Sequence, residues 1–198
     1  MATVHHHYII FFKPYNVLSQ FTDTKGRTTI SQFGPFPKDV YPVGRLDYDS
    51  EGLLLLTDDA GLTYRLLEPR FGHPRTYWVQ VEGVPTEEAL QQLRTSVVIQ
   101  NQKTLSAEAR LLEFDPDFGE RSEPIHPRKG KSTQWLELVL HEGRNRQVRK
   151  MTAAAGFPTL RLVRVKIGTI DIDSLKPGEN RELTPKEIHS LRSLVQLS

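Results

Sequence analysis

Cysteine is absent from all 198 residues, and methionine and tryptophan occur only twice each. Without thiols the chain forms no disulfide framework and no thiolate zinc site, a composition compatible with a reducing compartment. No stretch approaches the roughly 18 to 20 consecutive apolar residues of a membrane span. The opening "MATVHHHYIIFF" lacks the basic region, long apolar core and cleavage site of a secretion signal. The expectation is a cytoplasmic protein with no membrane partner. His5, His6 and His7 form a compact nitrogen-rich group, but adjacent histidines near a terminus read as a frayed segment. Residues 1–7 are therefore expected to be disordered and to hold no metal.

What is present is an ordinary globular composition, 37% hydrophobic and 25% charged. The net charge of +2 hides an asymmetry. Between Arg121 and Lys166 there are eleven Lys/Arg against three Asp/Glu, leaving fifteen basic and twenty-one acidic residues elsewhere. Such a local excess suits a polyanionic partner, although a solvated basic face has the same composition.

Strand and helix signals alternate along the chain. "YIIFFKPYNVLSQF" reads as strand, turn and strand, broken at Lys13-Pro14. "EGLLLLTDD" reads as a buried strand and "GLTYRLLE" as a short helix stopping near Pro69. "TYWVQVEG" alternates as a strand, and Thr86 caps the helix in "TEEALQQLR". Strands are expected in "SVVIQ" and "SAEARLLEFD", then a long surface loop over about 116–132. In "STQWLELVL", Leu136, Leu138 and Leu140 share one face. "NRQVRKMTAAAG" reads as a helix ending at Gly156, "LRLVRVKIGTIDI" as one long strand, and "TPKEIHSLRSLVQL" as a helix with a Thr184/Glu187 capping box. The fold class is α+β, built around a largely antiparallel sheet.

Two constellations could carry chemistry. In "GRLDYDSEGLLLLTDD" five carboxylates bracket four leucines. Asp58 and Asp59 read as a turn and helix N-cap, Asp49 and Glu51 as turn residues leading into the strand. Asp47, beside Arg45 and Leu46, is either a site carboxylate held ionised by arginine or an ordinary turn aspartate. Treating Asp47, Asp49, Asp58 and Asp59 as metal ligands would need the intervening strand to bring together pairs that it holds roughly 20 Å apart. The second constellation is "HEGRNRQVRKM". Arg144, Arg146 and Lys150 are suited to phosphate, and Arg149 could instead turn inward onto a buried carboxylate. With Arg128, Lys129 and Lys131 in the loop upstream, the pattern favours a nucleic acid.

Taken together, "GRLDYDSEGLLLLTDD", "RTYWVQVEG", "LHEGRNRQVRKM" and "LRLVRVKIG" resemble, in order and spacing, the motifs of the bacterial ribosomal small-subunit pseudouridine synthase A family. "FFKPYNVLSQF" and "PIHPRKGKSTQWLEL" are most similar to its large-subunit synthase E branch, which has no S4-type domain. The resemblance runs from about Tyr8 to Ile172. It implies the pseudouridine synthase fold, two packed halves sharing a sheet with a cleft across it, as one catalytic domain over residues 8–198. It also implies isomerisation of a ribosomal RNA uridine, 23S rather than 16S, by a monomer without metal or other cofactor. Asp47 matches the essential aspartate, Tyr77 the tyrosine at the flipped base, and Arg149 the basic partner of the aspartate. Leu162 matches the leucine against uracil, and Arg45 an arginine that keeps the nucleotide extruded. Arg75 replaces a common lysine, and Asn16 a common glycine whose left-handed turn asparagine tolerates. A non-catalytic ribosomal RNA-binding or assembly factor with the same fold is the alternative.

Overall fold

The computed structural model describes residues 5–197. Its centre is a run of apolar strands whose patterning explains their position. Strand β1 (Tyr8–Lys13) and strand β3 (Glu51–Thr57) are buried at every position. Their side chains divide between two cores. Ile10, Phe12, Leu53 and Leu55 pack on one face, and Ile9, Phe11, Leu54 and Leu56 on the other. A strand covered on both sides needs no polar alternation, which is why "LLLL" is a strand here.

The remaining strands are β2 (Tyr41–Pro42), β4 (Arg75–Glu82), β5 (Val98–Ile99), β6 (Gln102–Lys103), β7 (Glu108–Leu111), β8 (Thr133–Leu140), β9 (Thr159–Ile167), β10 (Ile170–Asp171) and β11 (Asn180–Glu182). Nine form one sheet in the order β11-β1-β3-β9-β4-β8-β7, with β2 on β3 and β10 on β9, while β5 and β6 pair separately. Among the described residues every strand pair is antiparallel except β3 with β9, where Glu51 lies opposite Val163 and Gly52 opposite Arg164. This short parallel contact joins the two halves. It is close-packed: a Cβ on Gly52 would lie 2.3 Å from the Arg164 carbonyl oxygen, and its φ of +104 is a glycine conformation.

Four α-helices complete the fold. Helix α1 (Ala60–Leu67) is capped by Asp59 and α2 (Glu87–Thr95) by Thr86. Helix α3 (Gln147–Ala154) follows the basic turn, and α4 (Pro185–Leu194) carries the complete Thr184/Glu187 capping box. On β8, Leu136, Leu138 and Leu140 enter a core with Val148 and Met151 of α3, while Trp135 faces the opposite core.

Three expectations change. No strand follows the Lys13-Pro14 break; Leu18 makes only an isolated bridge to Thr29. The chain instead coils beneath the sheet, burying Val17 and Ile30. The long C-terminal strand is a hairpin, because Gly168, at a φ of +55, turns β10 back on β9. Finally, within the segment expected to be disordered, His6 and His7 make contacts to the sheet's far turn. The His7 backbone N–H donates to Asp58 at 2.9 Å and the His6 ring contacts the same oxygen at 3.1 Å. Residues 1–4 lie outside the described residues.

Candidate active site

The turn preceding β3 is fixed before any side chain acts. Gly44, at a φ of +75, bends the chain. Leu46 is buried, and the Ser19 hydroxyl bonds both to its carbonyl, at 2.9 Å, and to its N–H, at 3.0 Å. Asp47 then starts a tight turn closed by the Ser50 N–H at 3.0 Å. Behind it the Tyr48 carbonyl accepts from the Asn16 N–H at 3.0 Å, in a turn where Asn16 has a φ of 57. The Lys13 ammonium donates to the Val17, Pro14 and Tyr48 carbonyls at 2.7, 2.9 and 3.4 Å. Lys13 is fully buried, and burial pulls its pKa down to about 7 against the pull of Glu51, Asp49 and Asp47. A lysine inside an apolar strand was visible in the sequence, but its role as a clamp beneath the Asp47 turn was not.

Opposite this turn stands the basic turn of α3. Arg146 has a left-handed φ of 51, an uncommon conformation for a side chain of its size. Its guanidinium grips the Asp49 carboxylate with both nitrogens, at 2.8 and 2.7 Å, and lies 3.8 Å from Asp47. Arg149 donates to the Asp49 carbonyl at 2.6 Å and pairs with its carboxylate at 3.4 Å. Arg149, expected to pair with Asp47, directly holds Asp49 instead and feels Asp47 only through longer-range attraction; among the described residues the cation within 4 Å of Asp47 is Arg146. Burial alone would raise the Asp49 carboxyl, but the Arg146 hydrogen bonds and the Arg149 charge outweigh it and keep the group below its ordinary range.

The Asp47 carboxylate faces a cleft of about 400 Å³ whose lining includes Arg45, Arg75, Tyr77, Arg144, Arg146, Leu162 and Arg164. Four distant segments converge there: the turn before β3, strand β4, the basic turn and β9. Strands β4 and β9 pair directly, with Tyr77 opposite Arg164 and a register shift just before it, between Thr76 and Tyr77. His73, buried and stacked on Phe71, closes the inner end. Asp47 itself is about one-third exposed and, among the described residues, its carboxylate accepts no hydrogen bond shown by the structure.

The other expected contacts are distributed differently. Arg144 lines the cleft but is braced by Glu142 at 3.0 Å and the Lys103 carbonyl at 2.9 Å. Lys150 is outside it, donating to the Asn145 carbonyl at 2.8 Å. Arg128 pairs with Glu82 at the far end of β4, five residues and roughly 16 Å from Tyr77 at about 3.3 Å per residue. Lys129 and Lys131 are exposed in the same loop. The part of that loop near the cleft's turn is instead Arg121, stacked 4.0 Å over the Tyr15 ring. Glu51, expected as a turn residue, is instead the first residue of β3, and its buried carboxylate receives Arg161 bidentately at 2.9 and 2.7 Å. The run of arginines in "LRLVR" alone does not reveal that pairing.

A family model described as RNA pseudouridylate synthase matches residues 7–154. The chain belongs to that family. It is similar to two proteins named ribosomal large subunit pseudouridine synthase E. One, from Xanthomonas axonopodis pv. citri, is 53% identical over 85% of this chain and 90% of the relative. The other, from Vibrio vulnificus, is 51% identical over 89% of this chain and 74% of the relative. A solved pseudouridylate synthase structure aligns with a TM-score of 0.77 at 29% identity, covering 94% of this chain and 74% of its own. The sheet and cleft described above are thus a pseudouridylate synthase fold, and Asp47, Tyr77 and Arg146 lie within the matched family span, whereas Leu162 and Arg164 lie beyond it.

Proposed function

We propose that this pseudouridylate synthase isomerises one uridine of large-subunit ribosomal RNA in the cytoplasm, acting as a single-domain monomer. The observation that carries the reading is the convergence of Asp47, Tyr77, Leu162 and five arginines on one cleft from segments scattered along the chain. Asp47 initiates cleavage of the N1–C1′ bond. Among the described residues its carboxylate accepts no hydrogen bond, and Asp49, clamped by Arg146 and Arg149, fixes the turn that presents it. Tyr77 stands across the cleft to assist loss of the C5 proton, and Leu162 packs against the base.

The base detaches, rotates and rejoins through C5, so bonds are exchanged within one nucleotide. A uridine in folded RNA must be unstacked before its sugar is reached. Arg45, exposed at the rim, is placed to hold the extruded nucleotide, and Arg144 and Arg146 to meet its phosphates. The apolar walls, Leu46, Leu162 and Val148, limit water at the reacting carbon. The test is tritium release from a ribosomal RNA transcript carrying 5-tritiated uridine. The wild type should release it stoichiometrically with the modified site, and Asp47→Asn should release none while still binding the transcript. A folded wild type that binds the RNA and releases no tritium would instead support a binding or assembly factor.

A further inference from the structure

Two arginines three positions apart on β9 are treated differently by the fold. Arg161 is buried against Glu51. Arg164, 4% exposed, has no carboxylate partner among the described residues; the neutral Tyr77 hydroxyl is its side-chain hydrogen-bonding neighbour, and a second cation, Arg75, opposes its charge. One nitrogen, Nε, donates to the Leu53 carbonyl at 2.8 Å, which fixes the plane of the guanidinium. Another, Nη2, is buried and has no hydrogen-bond partner. An unpaired buried cation is strongly disfavoured unless something else in the working cycle supplies negative charge.

The position indicates where that charge arises. Arg164 and Leu162 are two residues apart on β9, therefore on the same face, and both line the cleft with Asp47 and Tyr77. When the N1–C1′ bond breaks, its electron pair leaves with the base, and the uracil anion spreads the charge over N1, O2 and O4. This holds whether Asp47 bonds to C1′ or takes the 2′ proton. The charge disappears when C5 returns the electron pair to C1′; the C5 proton is then lost and N1 gains one, which leaves the base neutral.

We propose that Arg164 is a catalytic residue, donating its free Nη2–H to a carbonyl oxygen of the departing uracil and stabilising the anion. The assignment rests on the uridine-isomerising reading above. A donor already fixed and already desolvated needs no reorganisation when the charge appears, which is the condition under which such a group accelerates a reaction most.

The test compares two transcripts, one with uridine and one with 5-fluorouridine at the target, for wild type and Arg164→Met. Conversion is scored as single-turnover transfer of C1′ from N1 to C5, a step that precedes loss of the C5 substituent. Fluorine stabilises the leaving base itself and so reduces its need for the guanidinium. Conversion of uridine by Arg164→Met should slow on the order of 100-fold or more, with RNA affinity within about three-fold of wild type. Its loss on 5-fluorouridine should be at least about ten-fold smaller than on uridine. A loss on uridine below about three-fold, or an equal loss on both transcripts, would overturn the proposal, since a structural defect is blind to the leaving group. If the methionine variant does not fold, Arg164→Lys, which keeps the charge and the stem, is judged by the same ratio. A folded wild type that converts neither transcript would count against the isomerase reading, not against the part given to Arg164.

Discussion

The two ends of β3 are both flanked by aspartates, and the fold engages them differently. At the C-terminal end, Asp58 accepts the His7 N–H and Asp59 accepts the Leu62 N–H at 2.9 Å and the Tyr8 hydroxyl at 2.8 Å, with Arg192 at 3.1 Å. Every contact there ties β1, α1 and α4 together. At the N-terminal end, Asp49 receives both arginines of the α3 turn, and Asp47 receives no hydrogen bond shown among the described residues. A carboxylate fully engaged by donors is a structural element. One presented by a rigid turn, beside a cation and without a hydrogen bond among the described residues, is the one proposed to react.

Exchange of the two roles by mutation gives the largest expected effect. Asp47→Asn should abolish isomerisation, a loss on the order of 10⁴-fold or more by analogy with removal of other reacting groups. Unfolding by urea should barely change. Asp59→Ala should do the reverse. It removes an N-cap and the partner of a buried Tyr8 hydroxyl, costing about 2 kcal/mol of stability, with turnover within about two-fold of wild type. Burial pushes the Asp59 carboxyl up, but the Leu62 N–H and Tyr8 hydroxyl bonds prevail and hold it below its ordinary value of 3.8. Its contribution is therefore present above that pH and lost as pH falls through the lower, folded-state value, so the stability gap between variant and wild type should close in acid.

Asp49 tests the reactive end more finely. Asp49→Ala leaves Asp47 intact but releases Arg146 and Arg149, so the turn loses its two anchors. Turnover should fall about 10- to 100-fold, the scale of a displacement near 1 Å, and stability should fall by about 2 kcal/mol because the largely buried Arg149 loses its carboxylate. Lys13 supports the same turn from below, and its effect shows in pH. Its folded-state pKa of about 7 lies below the unfolded value of 10.5, so between those values the unfolded chain binds more protons. Stability from this group therefore rises as pH increases from about 7 towards 10. In Lys13→Met that rise should be missing from urea titrations at pH 7 and 9.5.

Much of this was legible in sequence, for identifiable reasons. Periodicity and caps located β4, β8, α2 and α4, because those elements have one apolar face and their own terminal signals. The Gly168 turn was missed because strand-forming residues flank it on both sides. Asp47, Tyr77 and Leu162 could be named only through ordered motifs, since nothing local separates Asp47 from Asp49. What could not be read was pairing across the chain. Arg146 with Asp49 spans 97 residues and Arg161 with Glu51 spans 110, and both depend on where the parallel β3–β9 contact places the two halves. The basic loop shows the same limit: composition picks out Arg128 as a cation but not the Glu82 carboxylate that it pairs with across 46 residues.

That last pairing yields the smallest and most discriminating measurement. Arg146 sits at the cleft mouth with its side chain 41% exposed, held by Asp49 but able to exchange one carboxylate oxygen for a phosphate. If it meets the RNA backbone, Arg146→Ala should weaken binding only a few-fold at moderate salt. The slope of log affinity against log salt should shrink by about 0.7, one phosphate contact to a single strand. Arg128→Ala should leave the slope unchanged, because its charge is already spent on Glu82 away from the cleft. Equal slope changes for the two variants would mean that the RNA path runs along the whole β4 edge, and that the division between a reactive end and a structural end stops at the protein surface.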